Sequence, residues 1–288
     1  EAMRKRAPLD SPWEAEDAAR LDSMTVADMA NKLAGSKRVR ASFDAAVRVV
    51  FGAEPSELGL LYFLFYLNSG GGLMSLVNVE GGAQERRFVG GAQTLSNRMR
   101  AELGDDVVRL GQPALRIEQT DDGVVVTTPT MAHHARYAVV AVPPALAGRI
   151  QYDPPLPAAR DALTQRFPMG ETIKAHLLYD TTFWRDAGYA GEALCPEGSP
   201  ATYVVDNTYS PTGQASLVAF LVGDSGRRWA ALDEGERRRS LLSQVERYFG
   251  PQAARPNKII AKSWAEEPWT RGCPTGALPP GALTQLGP

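Results

Sequence analysis

The sequence predicts an α+β (mixed α/β) fold, and three observations carry that reading. Stretches of helical period and stretches of alternating period both occur, and the period changes along the chain near residue 105. Strands and helices then mix without a regular strand–helix–strand rhythm, which argues against a doubly wound parallel sheet. No internal repeat is visible. With 288 residues, 44% of them hydrophobic and 22% charged, the chain is long enough for one large core or two domains.

The elements follow in order. "TVADMANKLAG" reads as a short helix, capped by Thr25 with Asp28 three residues on and stopped by Gly35. "PSELGLLYFLFYLNSGGG" predicts a helix from Pro55 or Ser56 to the glycines at 70–72, apolar nearly all round and therefore buried. "AQTLSNRMRAELG" is a third helix, ended by Gly104. Next, "DVVRL", "ALRIEQ", "GVVVTT" and "RYAVVAV" read as strands, with "TDDG" as a hairpin turn and Pro143 and Pro144 closing the last. The segment 171–179 is another strand, followed by "TYVVDN" and "SLVAFLVG" around the turn "SPTG". "DEGERRRSLLSQVERYFG" is an amphipathic helix: Leu241, Leu242, Val245, Tyr248 and Phe249 share a face, and Arg237, Arg238 and Arg239 form its solvated side. "KIIAKSW" is the last strand.

Composition excludes some classes. A net charge of -2 leaves no nucleic-acid footprint. The longest apolar run, "LGLLYFLFYL", has 10 residues, short of the ~20 that span a bilayer. No amino-terminal signal pattern is present. Two cysteines, Cys195 and Cys273, make no disulfide framework, which favours a reducing, cytoplasmic compartment. The chain begins at Glu1 in a polar stretch and stops at Pro288 in loop chemistry, so a fragment is expected.

The most informative residue is Lys174. In "MGETIKAHLLYD" the residues Ile173, Ala175 and Leu177 fall on one face, and Lys174, His176 and Leu178 on the other. An ammonium inside so apolar a strand either reaches the surface or meets a polar partner. His176, on its face, lines a cavity or fills a core position, and the residues leave both readings open. His133 and His134 read as surface residues in a polar loop, without a partner at metal spacing. No complete dinucleotide or phosphate fingerprint exists. "FVGGAQTLSNRM" does place Gly90 and Gly91 between a strand-like Phe88–Val89 and a helix, where backbone approaches a neighbour closely. "EGGAQERRFVGG" adds Gln84, a donor and an acceptor in a charged loop. "WAEEPWTRGCPTG" is dense in aromatic residues for a strand-to-loop transition.

Taken together, five ordered stretches resemble the flavin-containing amine oxidases, in particular their monoamine oxidase branch. They are "SPWEAEDAARLDSMTVADM", "GGAQERRFVGGAQTLSNRM", "AVVAVPPALAGRIQYDPPLP", "MGETIKAHLLYDTTFWRDAGYAG" and "WAEEPWTRGCPTGALPPGALTQLG". The second is the most specific. The resemblance implies part of a two-domain FAD-dependent fold. A substrate domain would come from residues 1–88 and 164–266, and parts of the FAD-binding domain from 89–163 and 267–288. It implies that Lys174 faces flavin N5 through a bound water, that Trp264 packs along the flavin, and that Gly90 and Gly91 start the helix behind it. Ala114 takes the place of a Val whose backbone meets the adenine. Val49, Leu76, Val77, Gln84 and Tyr203 would line the substrate cavity, a mostly apolar pocket with one amide that suits a neutral amine.

Departures bear on that reading. The amino-terminal glycine-rich fingerprint and the carboxy-terminal flavin motif are both absent from this chain. Pro274 stands where the animal enzymes have a tyrosine beside the amine. Cys273 matches the cysteine that carries covalent flavin in the animal enzymes, and the thiol alone leaves covalent and noncovalent binding open. The implied reaction is oxidative deamination of a primary or secondary amine, with O2 reduced to H2O2 and no general base in this segment. A homodimer of the full-length protein is a further expectation. Alternatives are an L-amino-acid oxidase or polyamine oxidase of the same fold, or a noncatalytic flavin-fold remnant that binds a partner.

Overall fold

The computed structural model describes residues 2–33 and 35–287. Residues 1, 34 and 288 lie outside it, and with them both chain ends taken above as cut. Two 3-10 turns, Ala2–Arg6 and Pro12–Glu14, precede five helices: α1 (Ala18–Asp22), α2 (Val26–Leu33), α3 (Lys37–Phe51), α4 (Leu60–Ser69) and α5 (Leu73–Val77). The Thr25–Asp28 capping box forms: Thr25 Oγ1 accepts from the Asp28 N–H at 3.0 Å, and Asp28 Oδ2 accepts from the Thr25 N–H at 2.9 Å. Those bonds hold the Asp28 carboxyl below its usual range.

α4 starts at Leu60 rather than at Pro55 or Ser56. The Gly59 N–H goes to the Leu278 carbonyl at 2.8 Å, and Gly59 bridges Thr25, so the backbone before Leu60 is committed to other segments. α4 is buried on nearly every side, as its composition requires. Leu60, Leu61, Tyr62, Phe63, Leu64 and Leu67 join Phe51, Val47 and Leu58 in a first core. Phe51 sits at its centre, 4.7 Å from the Tyr66 ring and 5.7 Å from Phe63. α3, which supplies Phe51, was not among the expected elements. Its Ser36 cap accepts from the Val39 N–H, and it ends at Gly52 with φ +65°.

α6 (Gln93–Leu103), as expected, ends at Gly104 and leads to a four-stranded sheet. That sheet comprises β1 (Arg116–Thr120), β2 (Gly123–Thr127), β3 (Ala132–Ala135) and β4 (Gln151–Asp153), in the order β3-β2-β1-β4. Thr120 pairs with Gly123 across the "TDDG" turn. Three expectations are corrected here. "DVVRL" and "RYAVVAV" are not strands, because no neighbouring strand among the described residues takes up their N–H and C=O groups. Tyr137 and Val139 stand 84% and 90% exposed. His133 and His134 lie inside β3, paired with Val126 and Val125, and not in a loop. Pro143 and Pro144 open α7 (Pro144–Ala147), and α8 (Ala158–Arg166) follows β4.

The second sheet holds the candidate site. Its strands are β5 (Thr172–Tyr179), β6 (Ala193–Leu194), β7 (Tyr203–Asp206), β8 (Ala215–Val222) and β9 (Lys258–Ser263), in the order β6-β7-β8-β5-β9, all antiparallel. α9 (Phe183–Asp186), α10 (Gly223–Ala230), α11 (Glu234–Phe249) and α12 (Ala282–Leu286) complete the fold. Ile173, Ala175 and Leu177 face a second core with Leu217, Ala219, Leu221, Leu241 and Val245. The alternation in β5 thus buries the face it should. Arg238 and Arg239 are solvated as expected, but Arg237 is not. Its guanidinium donates to the carbonyls of Leu232 and Ala230 at 2.8 and 2.6 Å and stacks 5.6 Å from the Trp229 ring centroid. Carbonyls at the end of α10 need donors, and Arg237 supplies them.

Candidate active site

On the opposite face of the second sheet Thr172, Ser216, Val218 and Val222 are buried, while Lys174, His176 and Phe220 are half-buried. Register brings its residues into rows. Lys174 pairs with Phe220 on β8 and with Lys262 on β9, and Phe220 pairs with Tyr203 on β7. Residues paired across strands point to one face, so Tyr203, Phe220, Lys174 and Lys262 form a transverse row. Lys174 Nζ lies 5.0 Å from the Phe220 ring centroid, and the Tyr203 and Phe220 centroids are 6.1 Å apart. Lys174 is half-buried, and no carboxylate among the described residues pairs with it. Its charge is met on one side by the Phe220 π-face.

One step along the strand, His176 pairs with Val218 and Ile260. Its Nδ1 is 3.3 Å from Asn207 Nδ2. Burial first, then the positive charges of Lys174 and Arg87, hold the imidazole below its ordinary value. Asn207 Oδ1 in turn accepts from Arg87, which also donates to the Thr208 carbonyl at 2.9 Å. Tyr209 completes this edge: its hydroxyl accepts from the Gly90 N–H at 3.0 Å, and its ring lies 6.0 Å from the Arg87 guanidinium. The Gly90–Gly91 turn, remote in sequence, is thereby tied to the loop after β7.

Both glycines adopt left-handed φ, +83° and +86°, and a Cβ on Gly91 would meet nothing within 4 Å. The N–H groups of Ala92 and Gln93, at the start of α6, have no acceptor among the described residues. This is an open donor set at a helix start, the chemistry that holds an anionic or carbonyl-bearing group. Phe88 and Val89 before it are exposed coil, not strand.

The other predicted residues fall as follows. Trp264 is half-buried just past β9, its ring 5.8 Å from Lys262 Nζ. The Lys262 ammonium pairs with Glu267. Cys273 is a half-buried free thiol whose main chain clasps β5: its N–H donates to Gly170 at 2.9 Å, and its carbonyl accepts from Thr172 Oγ1 at 3.0 Å. Burial pushes the thiol up, against the opposing pull of the Thr172 hydroxyl and the Lys174 charge. Tyr203 donates its hydroxyl to Glu192; burial and that carboxylate hold its phenol well above the ordinary range. Gln84 is exposed, and its amide donates to the Leu76 carbonyl at 3.1 Å. Leu76 and Val77 lie in α5 and Val49 in α3, all half-buried. Ala114 stands two residues before β1, in the four-stranded sheet. Two shallow clefts of about 310 and 330 Å³ lie beside Arg100 and Asp105, and no predicted site residue lines either.

Sequence reasoning missed Phe220, Asn207, Arg87, Tyr209 and Glu192. Phe220 had no usable signal in the apolar run of β8, where all the other residues are buried. Loop residues such as Asn207 and Arg87 acquire roles only once the chain folds. Among the described residues, no group of three or more His, Cys, Asp or Glu could hold a metal, and no helix is long and apolar enough to cross a membrane.

Comparison with known proteins is consistent in direction. The family model described as "Flavin containing amine oxidoreductase" matches residues 1–285. The "Probable flavin-containing monoamine oxidase A" of Dictyostelium discoideum is 36% identical over 279 residues, covering 96% of this chain and 61% of that protein. "Amine oxidase [flavin-containing] B" of Cavia porcellus is 34% identical over 288 residues, covering 99% and 55%. Among solved structures, the cyclohexylamine oxidase of Brevibacterium oxydans superposes with a TM-score of 0.93 at 34% identity, covering 99% of this chain and 63% of that one. A putrescine oxidase bound to putrescine gives 0.90 at 27% identity, covering 98% and 63%. The chain thus spans between 55% and 63% of the length of these proteins.

Proposed function

Because this chain belongs to the family of flavin-containing amine oxidoreductases, we propose that it forms the substrate-facing middle of an FAD-dependent amine oxidase. The reaction is oxidation of a primary or secondary amine to an imine, which water hydrolyses to the carbonyl product, with O2 reduced to H2O2. The single observation that carries this reading is the half-buried Lys174 without a carboxylate partner among the described residues, in a row with Phe220 and Tyr203.

The residues present fit a flavin. The Gly90–Gly91 turn and the free N–H groups at the start of α6 offer close backbone approach and hydrogen-bond donors. Lys174 and Trp264 would hold the ring, Ala114 the far end of the dinucleotide, and Cys273 is the residue that would carry a covalent link. When bound, FAD supplies the two-electron acceptor and the route of those electrons to O2.

The chain's own residues do the rest. Phe220 and Tyr203 present an aromatic wall that excludes water and orients an apolar amine body, together with Val49, Leu76, Val77 and Gln84. With FAD bound, the Lys174 ammonium would supply positive charge beside the ring, which would favour electron transfer to O2. The Lys174 ammonium, without a carboxylate partner among the described residues, and the Arg87 guanidinium disfavour a further positive charge on this face, which favours the neutral form of the reacting nitrogen.

The absorption spectrum of the full-length protein tests the reading. Oxidised flavin bands that bleach anaerobically with an apolar primary amine, and return with air as H2O2 appears, support it. Full-length protein without flavin bands contradicts it and leaves the noncatalytic remnant.

A further inference from the structure

His176 is the buried titratable group that the proposed reaction does not use, and its surroundings fix its state. Arg87 Nη1 faces one end of the Asn207 amide. A guanidinium only donates, so that end is the carbonyl oxygen. The amide nitrogen therefore faces His176 Nδ1, at 3.3 Å. An amide nitrogen also only donates, so Nδ1 accepts, the proton sits on Nε2, and the imidazole is neutral.

We propose that His176 is a positioning residue: as the neutral Nε2–H tautomer it orients Asn207 to receive Arg87, and so helps to hold the Gly90–Gly91 turn against the sheet face that carries Lys174. The chain of contacts is continuous. His176 accepts from Asn207; Asn207 accepts from Arg87; Arg87 donates again to the Thr208 carbonyl; Tyr209 receives the Gly90 N–H. It crosses 120 residues of sequence, between Arg87 and Asn207, to join two elements that the proposed cofactor would touch.

A proton on Nδ1 would set two N–H groups against each other. Relief requires the Asn207 amide to turn, which withdraws its oxygen from Arg87. Few nearby groups oppose this. The charges around His176 are Lys174 on its own strand, Lys258 and Lys262 on β9, and Arg87 from the loop. Asp206 is occupied by Trp184, Arg185 and the Thr208 N–H. Acid therefore loosens the turn rather than strengthening a new ion pair.

This inference rests on the flavin reading, and its test separates the two. The full-length protein is compared with His176→Phe, which removes the acceptor, and His176→Asn, whose Oδ1 replaces Nδ1 as an acceptor that does not titrate. Two quantities are measured at pH 8 and pH 5.5: the FAD dissociation constant, and hydrogen exchange of the peptide spanning 88–93. Wild type should lose about threefold in FAD affinity and in protection of that peptide at the lower pH. His176→Phe should be weak at both values, and His176→Asn tight at both. Should His176→Phe fail to fold, the contrast between wild type and His176→Asn decides. Equal pH dependence in wild type and His176→Asn, or unchanged exchange in His176→Phe, overturns the proposal. If no protein binds FAD, the flavin reading fails and the exchange data still decide the role of His176.

Discussion

The ammonium of Lys174 lies 5.0 Å from the centroid of the Phe220 ring, directly across the β5–β8 ladder. An apolar strand can hold this lysine because the ring face offsets part of the lost hydration on one side. The other side opens toward the surface that Tyr203 and Lys262 share with it. The predictions below follow from that face and from what holds it in place.

Tyr203 serves the proposed cavity through its ring, which packs at a 40° tilt against Phe220. Tyr203→Phe keeps the ring and gives up only the bond to Glu192. Its kcat/KM for an apolar amine should stay within about threefold of wild type, while Tyr203→Ala should lose about tenfold, the scale of one buried apolar group. Steady-state kinetics of the full-length enzyme with one arylalkyl amine reads both.

His176 also makes stability depend on pH. Its folded-state value lies below the ordinary one, so on acidification the unfolded chain takes up the proton first. Its contribution is complete above about pH 6.5, the unpaired imidazole value, and is lost as pH falls below that until the folded state also protonates. Denaturant midpoints at pH 7.5 and 5.5 should differ more in wild type than in His176→Asn.

Arg237 should matter to stability where its neighbours do not. Arg237→Met keeps the stem but removes two carbonyl caps and the stack on Trp229. A loss of about 1–3 kcal/mol is expected, against about 0.5 kcal/mol or less for Arg238→Ala. Urea denaturation of both variants compares them.

Asp22 is fully buried and caps the last helix, accepting from the Thr284 N–H at 2.8 Å and from its hydroxyl at 2.7 Å. Asp22→Ala strands both donors and should cost about 2–3 kcal/mol. Thr284→Val, which removes only the hydroxyl, should cost less. A ranking reversed in thermal or chemical denaturation would refute the assignment.

What the sequence made legible follows from which signals are local. Period and capping are local, so α2, α6, α11, the "TDDG" hairpin and the faces of β5 were readable from residues alone. Partnering is not local. "RYAVVAV" has strand composition, yet it has no ladder partner among the described residues and stays irregular. Arg237 reads as one of three solvated arginines until α10 ends beside it. The expectation that Lys174, Tyr203 and Trp264 serve a site came from resemblance to a family, although the alternation of β5 singled out Lys174 by itself. Phe220, Asn207 and Arg87 needed the register of β5 against β8 and the path of the loop after β7.

The central claim is that Lys174 stands at the flavin and serves reoxidation, and stopped-flow kinetics of Lys174→Met in the full-length enzyme tests it most directly. Methionine preserves the apolar stem and removes the ammonium, an exchange a half-buried site tolerates. With the two half-reactions followed separately, flavin reoxidation by O2 should slow by about tenfold or more. Flavin reduction by amine should change by no more than about threefold, since C–H cleavage needs no acid at that position. Reoxidation at the wild-type rate in Lys174→Met would contradict the account and leave the Phe220 contact as the whole reason for a lysine in β5.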